Sequence, residues 1–294
     1  MNYNAFKQQL IPALQTLVGK DARVEIHPVE KNNGTTLDTV IIMKKGQYIA
    51  PSFYLKDFYS WHRKGISIQQ IARKILALNH EYRMDEPENL RRVLSDYRHV
   101  RPHICYKLVN YQRNETLLSK IPHIPYLDLA IVFYFRIQQS DFPNSSILIY
   151  NEHMASWEVT LDDLFHDACL NTSRRLPFQF QGIEELICHL SNTPIPEDLP
   201  EEHMFILSNQ ERYFGASALL YPHVLSHISA LLNSNFFVLP SSIHECILIP
   251  DSGLYSKSEL ELMVQEVNTT NVEPEEVLSD HVYYFDRSKQ TLDF

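Results

Sequence analysis

The chain is poor in glycine, with 7 in 294 residues. Phosphate cradles and nucleophile elbows need glycine at set spacings, and no GxGxxG, GxxxxGK(S/T) or GxSxG occurs. HExxH, a DxD-type calcium loop and cysteine-based zinc spacing are missing too, so no cofactor and no metal are expected. The four cysteines, Cys105, Cys169, Cys188 and Cys246, lie far apart without a CxxC pair. They read as reduced and mostly buried. Long apolar runs are absent: none approaches the roughly 20 residues a membrane helix requires. The start, Met1 to Lys7, lacks the basic-then-apolar build of a signal peptide, so a cytoplasmic location without membrane contact is expected.

What is present is ordinary globular material, 44% apolar and 21% charged. The formal charge is −10, which disfavours generic attraction to nucleic acid. It is unevenly spread. Lys56 to Lys120 carries 13 Lys/Arg against 7 Asp/Glu, whereas Asp251 to Phe294 carries 3 against 10. Two solvated faces, or a basic surface that docks an acidic partner or nucleic acid, would both produce this.

Hydrophobic periodicity predicts a first helix with Phe6, Leu10, Leu14, Leu17 and Val18 on one face, kinked at Pro12 and ended by Gly19. A hairpin follows, Arg23–Val29 and Leu37–Met43 around Asn32-Asn33-Gly34. Helices are expected over Leu55–Arg63 and after Ser67, which has Gln70 as its capping-box partner. The polar stretch from His80 to Arg98 is the expected boundary, with a helix from Glu88 to Arg98 bridging it. It separates an N-terminal α/β subdomain (1–98) from a C-terminal α+β domain (99–294).

Beyond it, strands are expected at Ile104–Tyr111, Leu127–Ile137, Ser146–Tyr150, Met204–Leu207, Phe236–Leu239, Ile243–Ile249 and Val282–Phe285. Helices are expected at Asp162–Leu170 (capped by Thr160), Ile183–Leu190, Pro222–Leu232 and after a Ser258/Glu261 box. A proline-punctuated loop runs to Pro200. Strands and helices mix without a βαβ rhythm, which makes the class α+β with a mixed, mostly antiparallel sheet.

Several blocks resemble an uncharacterised domain family of Gram-positive, mainly gut, bacteria with no assigned activity. They are Lys31-Asn32-Asn33-Gly34, Lys107-Leu108-Val109-Asn110-Tyr111, Leu127-Asp128-Leu129-Ala130, Asn151-Glu152-His153, Leu207-Ser208-Asn209 with Gly215-Ala216, Leu239 to Glu245, and Val264 to Tyr284. The resemblance spans nearly the whole chain. It carries over no catalytic or binding residue. It implies a setting on mobile elements, acting on host or rival systems.

Polar residues at strand ends are the candidates for chemistry. Asn151, His153, Asn209, Ser242, His244 and Glu245 would form a small pocket if those ends converge. Equally, Ser241 and Ser242 could satisfy a turn begun by Pro240, with His244 and Glu245 paired across a sheet. His223 and His227 have the i, i+4 spacing of zinc ligands but sit on the flank of an amphipathic helix. His99 and His103 share that spacing across Pro102, which argues against a helix. Basic-aromatic pairs such as Tyr97-Arg98 and Tyr106-Lys107 fall on strand-like, core-facing alternation. Two readings remain open: a non-catalytic protein that binds another protein, or a hydrolase using His153 or His244 as general base.

Overall fold

The computed structural model describes residues 1–45, 50–81, 95–137, 146–191 and 204–294. The expected helix at Glu88 falls outside these residues up to 94, as does the loop to Pro200 from 192 onward. The fold is α+β, and every strand pair among the described residues is antiparallel. The chain divides into two compact units. The first takes in Met1–Lys31 and Thr35–Asp96, the second Asn32–Gly34, Tyr97–Ile137 and Asn144–Phe294.

In the first unit, α1 (Tyr3–Val18), α2 (Leu55–Arg63) and α3 (Ile68–Glu81) pack on a three-stranded sheet, β1 (Ala22–Glu30), β2 (Thr36–Lys44) and β3 (Ser52–Tyr54). Asn2 caps α1 by accepting the Ala5 N–H, and Gly19 ends it at φ +71°. The helix continues through Pro12 as one 16-residue element. Its Phe6, Leu10 and Leu14 meet Val24, Val40 and Ile42 of the sheet and Ile71 and Ile75 of α3 in one core. Each such side chain contributes roughly 1.5–3 kcal/mol when taken out of water. Gln15 protects the edge of β1, donating to Ala22 O (2.9 Å) and accepting from Val24 N (3.3 Å) as a neighbouring strand would.

The second unit holds two sheets. One runs β4 (Ile104–Asn110), β6 (Leu129–Arg136) and β5 (His123–Tyr126), with β7 (Ser146–Leu148) also on β6. The apolar run expected as one strand from Leu127 instead begins at Leu129, because Leu127-Asp128 form a two-residue turn with Leu127 at φ +53°.

The other sheet has six strands in the order β13-β12-β10-β11-β9-β8. In chain order these are β8 (Phe178–Gly182), β9 (Phe205–Asn209), β10 (Phe236–Leu239), β11 (Cys246–Pro250), β12 (Tyr283–Asp286) and β13 (Thr291–Asp293). β12 falls on the strand expected at Val282–Phe285, and β13 beyond it pairs with it.

The helices of this unit are α4 (Tyr97–Val100), α5 (Glu115–Leu118), α6 (Asn151–Trp157), α7 (Leu161–Arg175), α8 (Ile183–Ser191), α9 (Val224–Leu232) and α10 (Lys257–Thr270). The capping box of α10 is Ser256/Glu259, two residues before the expected one. Tyr255 decides the register. It stands just outside the cap and packs with Leu260 in one cluster, a hydrophobic staple that the Ser258 register could not make. No helix among the described residues is long and apolar enough to cross a membrane.

Candidate functional site

The polar residues singled out from the sequence fall into two groups. Asn209, Ser242 and His244 belong to one turn system. Asn209 ends β9, is fully buried, and directs its whole side chain at the following turn. Its Nδ2 donates to Tyr213 O (2.8 Å), while Oδ1 accepts from Glu211 N (3.1 Å) and Tyr213 N (3.3 Å). Those bonds hold a turn with two left-handed residues, Arg212 at φ +50° and Phe214 at φ +55°. Such a conformation is costly for a bulky side chain and persists where its surroundings over-determine it.

Gly215 follows in a space without room for a side chain. A Cβ there would collide with Ser208 Oγ and His244 O and lie 2.7 Å from Asn209 N. Ser208 Oγ donates to His244 O at 2.8 Å.

His244 lies in a bend ahead of β11 rather than inside a strand. Its Nδ1 accepts the Phe214 N–H (3.3 Å), which places the neutral ring's proton on Nε2, 3.5 Å from Glu276 Oε1. The ring stacks on Phe214, and Lys107 Nζ sits 4.0 Å from the centre of that phenyl ring. A general base needs a lone pair aimed at substrate, and the one lone pair of this imidazole is on a main-chain N–H. Ser242 Oγ accepts the His244 N–H (3.1 Å), as a turn-forming serine does. The carboxylate facing His244 is that of Glu276. Glu245 is half-buried beside Cys246, whose thiol is pushed up first by burial and then by the Glu245 charge.

Asn151 and His153 are held by other elements. Asn151 begins α6, donating from its main chain to Lys120 O (3.1 Å) and from Nδ2 to Ser119 O (3.5 Å). The cap position is Tyr150. His153 Nδ1 accepts the Tyr150 N–H at 3.0 Å, and its ring stacks on Trp157 at 5.5 Å. His223 is the cap residue of α9, left-handed at φ +64° and outside the helix, although its carbonyl accepts His227 N (2.9 Å) as the first helical bond; only His227 sits on the helix itself. Among the described residues no group of three or more His, Cys, Asp or Glu could hold a metal ion.

Among the described residues, the densest polar arrangement surrounds Pro274 to Ser279, a segment without regular structure. Six consecutive carbonyls each accept a hydrogen bond. Asn33 Nδ2 donates to Pro274 O and Val277 O, Asn32 Nδ2 to Glu275 O, and Ile243 N to Glu276 O. Asn110 Nδ2 donates to Leu278 O and Asn268 Nδ2 to Ser279 O.

In return Leu278 N donates to Ser241 O and Ser279 N to Pro240 O. Asp128 accepts from Ser279 Oγ (2.6 Å) and from Tyr283 OH. Burial, followed by the Asp128 charge, pushes the Tyr283 phenol well above its ordinary range, so it stays a donor. Asn114, 2% exposed, exchanges amide bonds with Asn33 and donates to Asn110 O.

Sequence reasoning placed Asn110, Asp128, Asn268 and Ser279 only within family-like blocks, with no role for any of them, and it passed over Asn114. One signal was available: Asn268 falls on the Leu260–Val264 stripe of α10 at successive i+4 steps, an amide on a face bound for the core. Asp167, Asn171 and Thr172 likewise interrupt the buried face of α7 around Leu164 and Ala168.

The blocks around Asn32-Asn33, Asn110, Asp128, Pro240 to His244 and Asn268 to Tyr283 thus converge on one irregular segment. Asn151-Glu152-His153 stands outside it. No curated protein and no solved structure matches the chain. A family model described as a family of unknown function, DUF5688, matches residues 3–287, and the chain belongs to that family.

Proposed function

We propose that this protein acts by binding another protein and not by catalysing a reaction. One observation carries the reading: Asn209, Ser242, His153 and His244 each turn a polar side-chain atom onto main chain. A hydrolytic site requires a nucleophile and base aimed at a shared point in space. Here both hydroxyls bonded to His244 meet its main chain, Ser242 Oγ accepting its N–H and Ser208 Oγ donating to its carbonyl, and Nδ1 of the imidazole is occupied.

The charge pattern supports a partner of opposite sign. Asp251, Glu259, Glu266 and Glu273 are all exposed, on or next to α10, with the exposed Leu262 among them. Such a face favours encounter with a basic protein surface, and the attraction weakens as salt rises.

The test is affinity capture from the native cytoplasm, comparing the wild type with Glu266→Lys, which leaves the α10 cap intact, at low and moderate salt. The expected result is a basic partner recovered by the wild type and lost by the variant. Recovery of nothing above background, or equal recovery by both, would count against the reading. So would a hydrolase activity abolished by His244→Ala while the variant's melting temperature stays near wild type.

A further inference from the structure

A cavity of about 330 Å³ opens beside the first turns of α7, lined by Tyr97, Arg101, Val159, Asp163, His166 and Asp167. Its charged groups are anchored from behind. Asp167 is 5% exposed; its Oδ2 accepts Tyr97 OH (2.7 Å) and its Oδ1 accepts Arg101 Nε (2.9 Å). That bond engages Nε; the Arg101 side chain is 57% exposed, and its Nη groups have no protein partner among the described residues. Asp163 is anchored separately, Oδ2 accepting both the N–H (3.0 Å) and the O–H (2.6 Å) of Thr160. Its Oδ1 has no hydrogen-bond partner among the described residues.

Thr160's hydrogen bonds first, and then the charges of Arg101 and His166, hold the Asp163 carboxyl below its ordinary range. Arg101 and Asp163 therefore feel one another, yet among the described residues they form no ion pair. Arg101, Asp163 and His166 are exposed at the cavity mouth, where opposite charges gain little by pairing; Arg101 and Asp163 are each tethered elsewhere, and the two stay apart. An anion alone would meet Asp163 there, and a cation alone would meet Arg101. A molecule with both charges satisfies both walls.

We propose that this cavity binds a small zwitterion with the chemistry of a free α-amino acid. The carboxylate lies on the Nη edge of Arg101, which suits bidentate contact. The ammonium lies on Asp163 Oδ1, and the side chain runs past His166 and Val159. The volume is at the small end of ligand pockets, which matches a ligand of this size. The proposal stands independently of the protein-binding reading.

Isothermal titration calorimetry on the full chain tests it, using the standard L-amino acids with acetate and methylamine as single-charge controls. At least one amino acid is expected to bind with a Kd below about 1 mM, and both controls about tenfold more weakly or not at all. Asp163→Asn, whose amide oxygen can still accept from Thr160, is expected to weaken binding about tenfold without changing the circular dichroism spectrum. Arg101→Lys keeps a cation near Asp167 but loses the fork, with a similar loss expected. No amino acid binding up to about 10 mM would overturn the proposal. So would acetate binding as tightly as an amino acid, or wild-type affinity in either folded variant.

Discussion

The first unit and the Pro274–Ser279 segment of the second solve the same problem by opposite means. In the first unit, helices and strands pair their own N–H and C=O groups, and apolar stripes bury the result. Little is asked of side-chain amides beyond Gln15 at the sheet edge. Around Pro274–Ser279 no regular ladder exists, and four asparagines drawn from three other places in the chain serve five of six carbonyls. A buried carbonyl left without a donor costs about 1–3 kcal/mol, so the irregular segment depends on those amides as the first unit depends on its leucines. Polar residues grouped in a sequence can therefore mark a backbone that cannot satisfy itself, with no chemistry implied.

The largest effect should come from filling the space at Gly215. Gly215→Ala sets a methyl against main-chain atoms of Asn209 and His244 that cannot rotate away. A loss above about 4 kcal/mol, or failure to fold, is expected in urea denaturation. A near-wild-type midpoint would show that the turn is looser than described.

Next, Asn33→Ala removes donors to two carbonyls and should cost about 2–4 kcal/mol. Ile42→Val in the first unit's core should cost only about 0.5–1.5 kcal/mol. Reversal of that order would break the comparison.

Alkaline titration sharpens it. In the second unit, Tyr97, Tyr106, Tyr134, Tyr221 and Tyr283 are all raised, with burial the leading cause in each. In the first unit Tyr3 is raised to about 12, by burial and then Asp38. A phenol with a raised folded pKa supports folding below its unfolded value, near 10, and that support is lost as pH climbs through the folded value. Unfolding above pH ~10 should therefore register first in the second unit, whose buried phenols are more numerous. Fluorescence of Trp157 and Trp61, read in single-tryptophan variants, would show the order.

The smallest effect concerns a helix start. Ser256→Ala should cost about 1 kcal/mol and Ser258→Ala close to none.

Much of the regular structure could be read from the residues. The α2 boundaries, the hairpin, and the strand Phe236–Leu239 follow from periodicity and turn chemistry. The departures have local physical causes. Leu127 takes a left-handed turn without glycine or asparagine because Asp128 is bonded by Ser279 and Tyr283, partners more than 150 residues away. The α10 cap shifts to Ser256 because Tyr255 adds a staple that spacing rules do not weigh. Of the candidate site, the residues Asn209, Ser242 and His244 could be named from the sequence, but their gathering stood only as a condition on strand ends meeting. Their chemistry was not legible either, since which ring nitrogen faces a backbone N–H depends on where Phe214 lies.

Native-state hydrogen exchange at the amides of Ile243, Leu278 and Ser279 in Asn110→Ala tests the central claim most directly. These three amides bond across the segment to Glu276 O, Ser241 O and Pro240 O. The account predicts faster exchange at all three, with amides of β1 and β2 unchanged. Protection equal to the wild type at Leu278 and Ser279 would show that the asparagine amides do not hold this backbone in place.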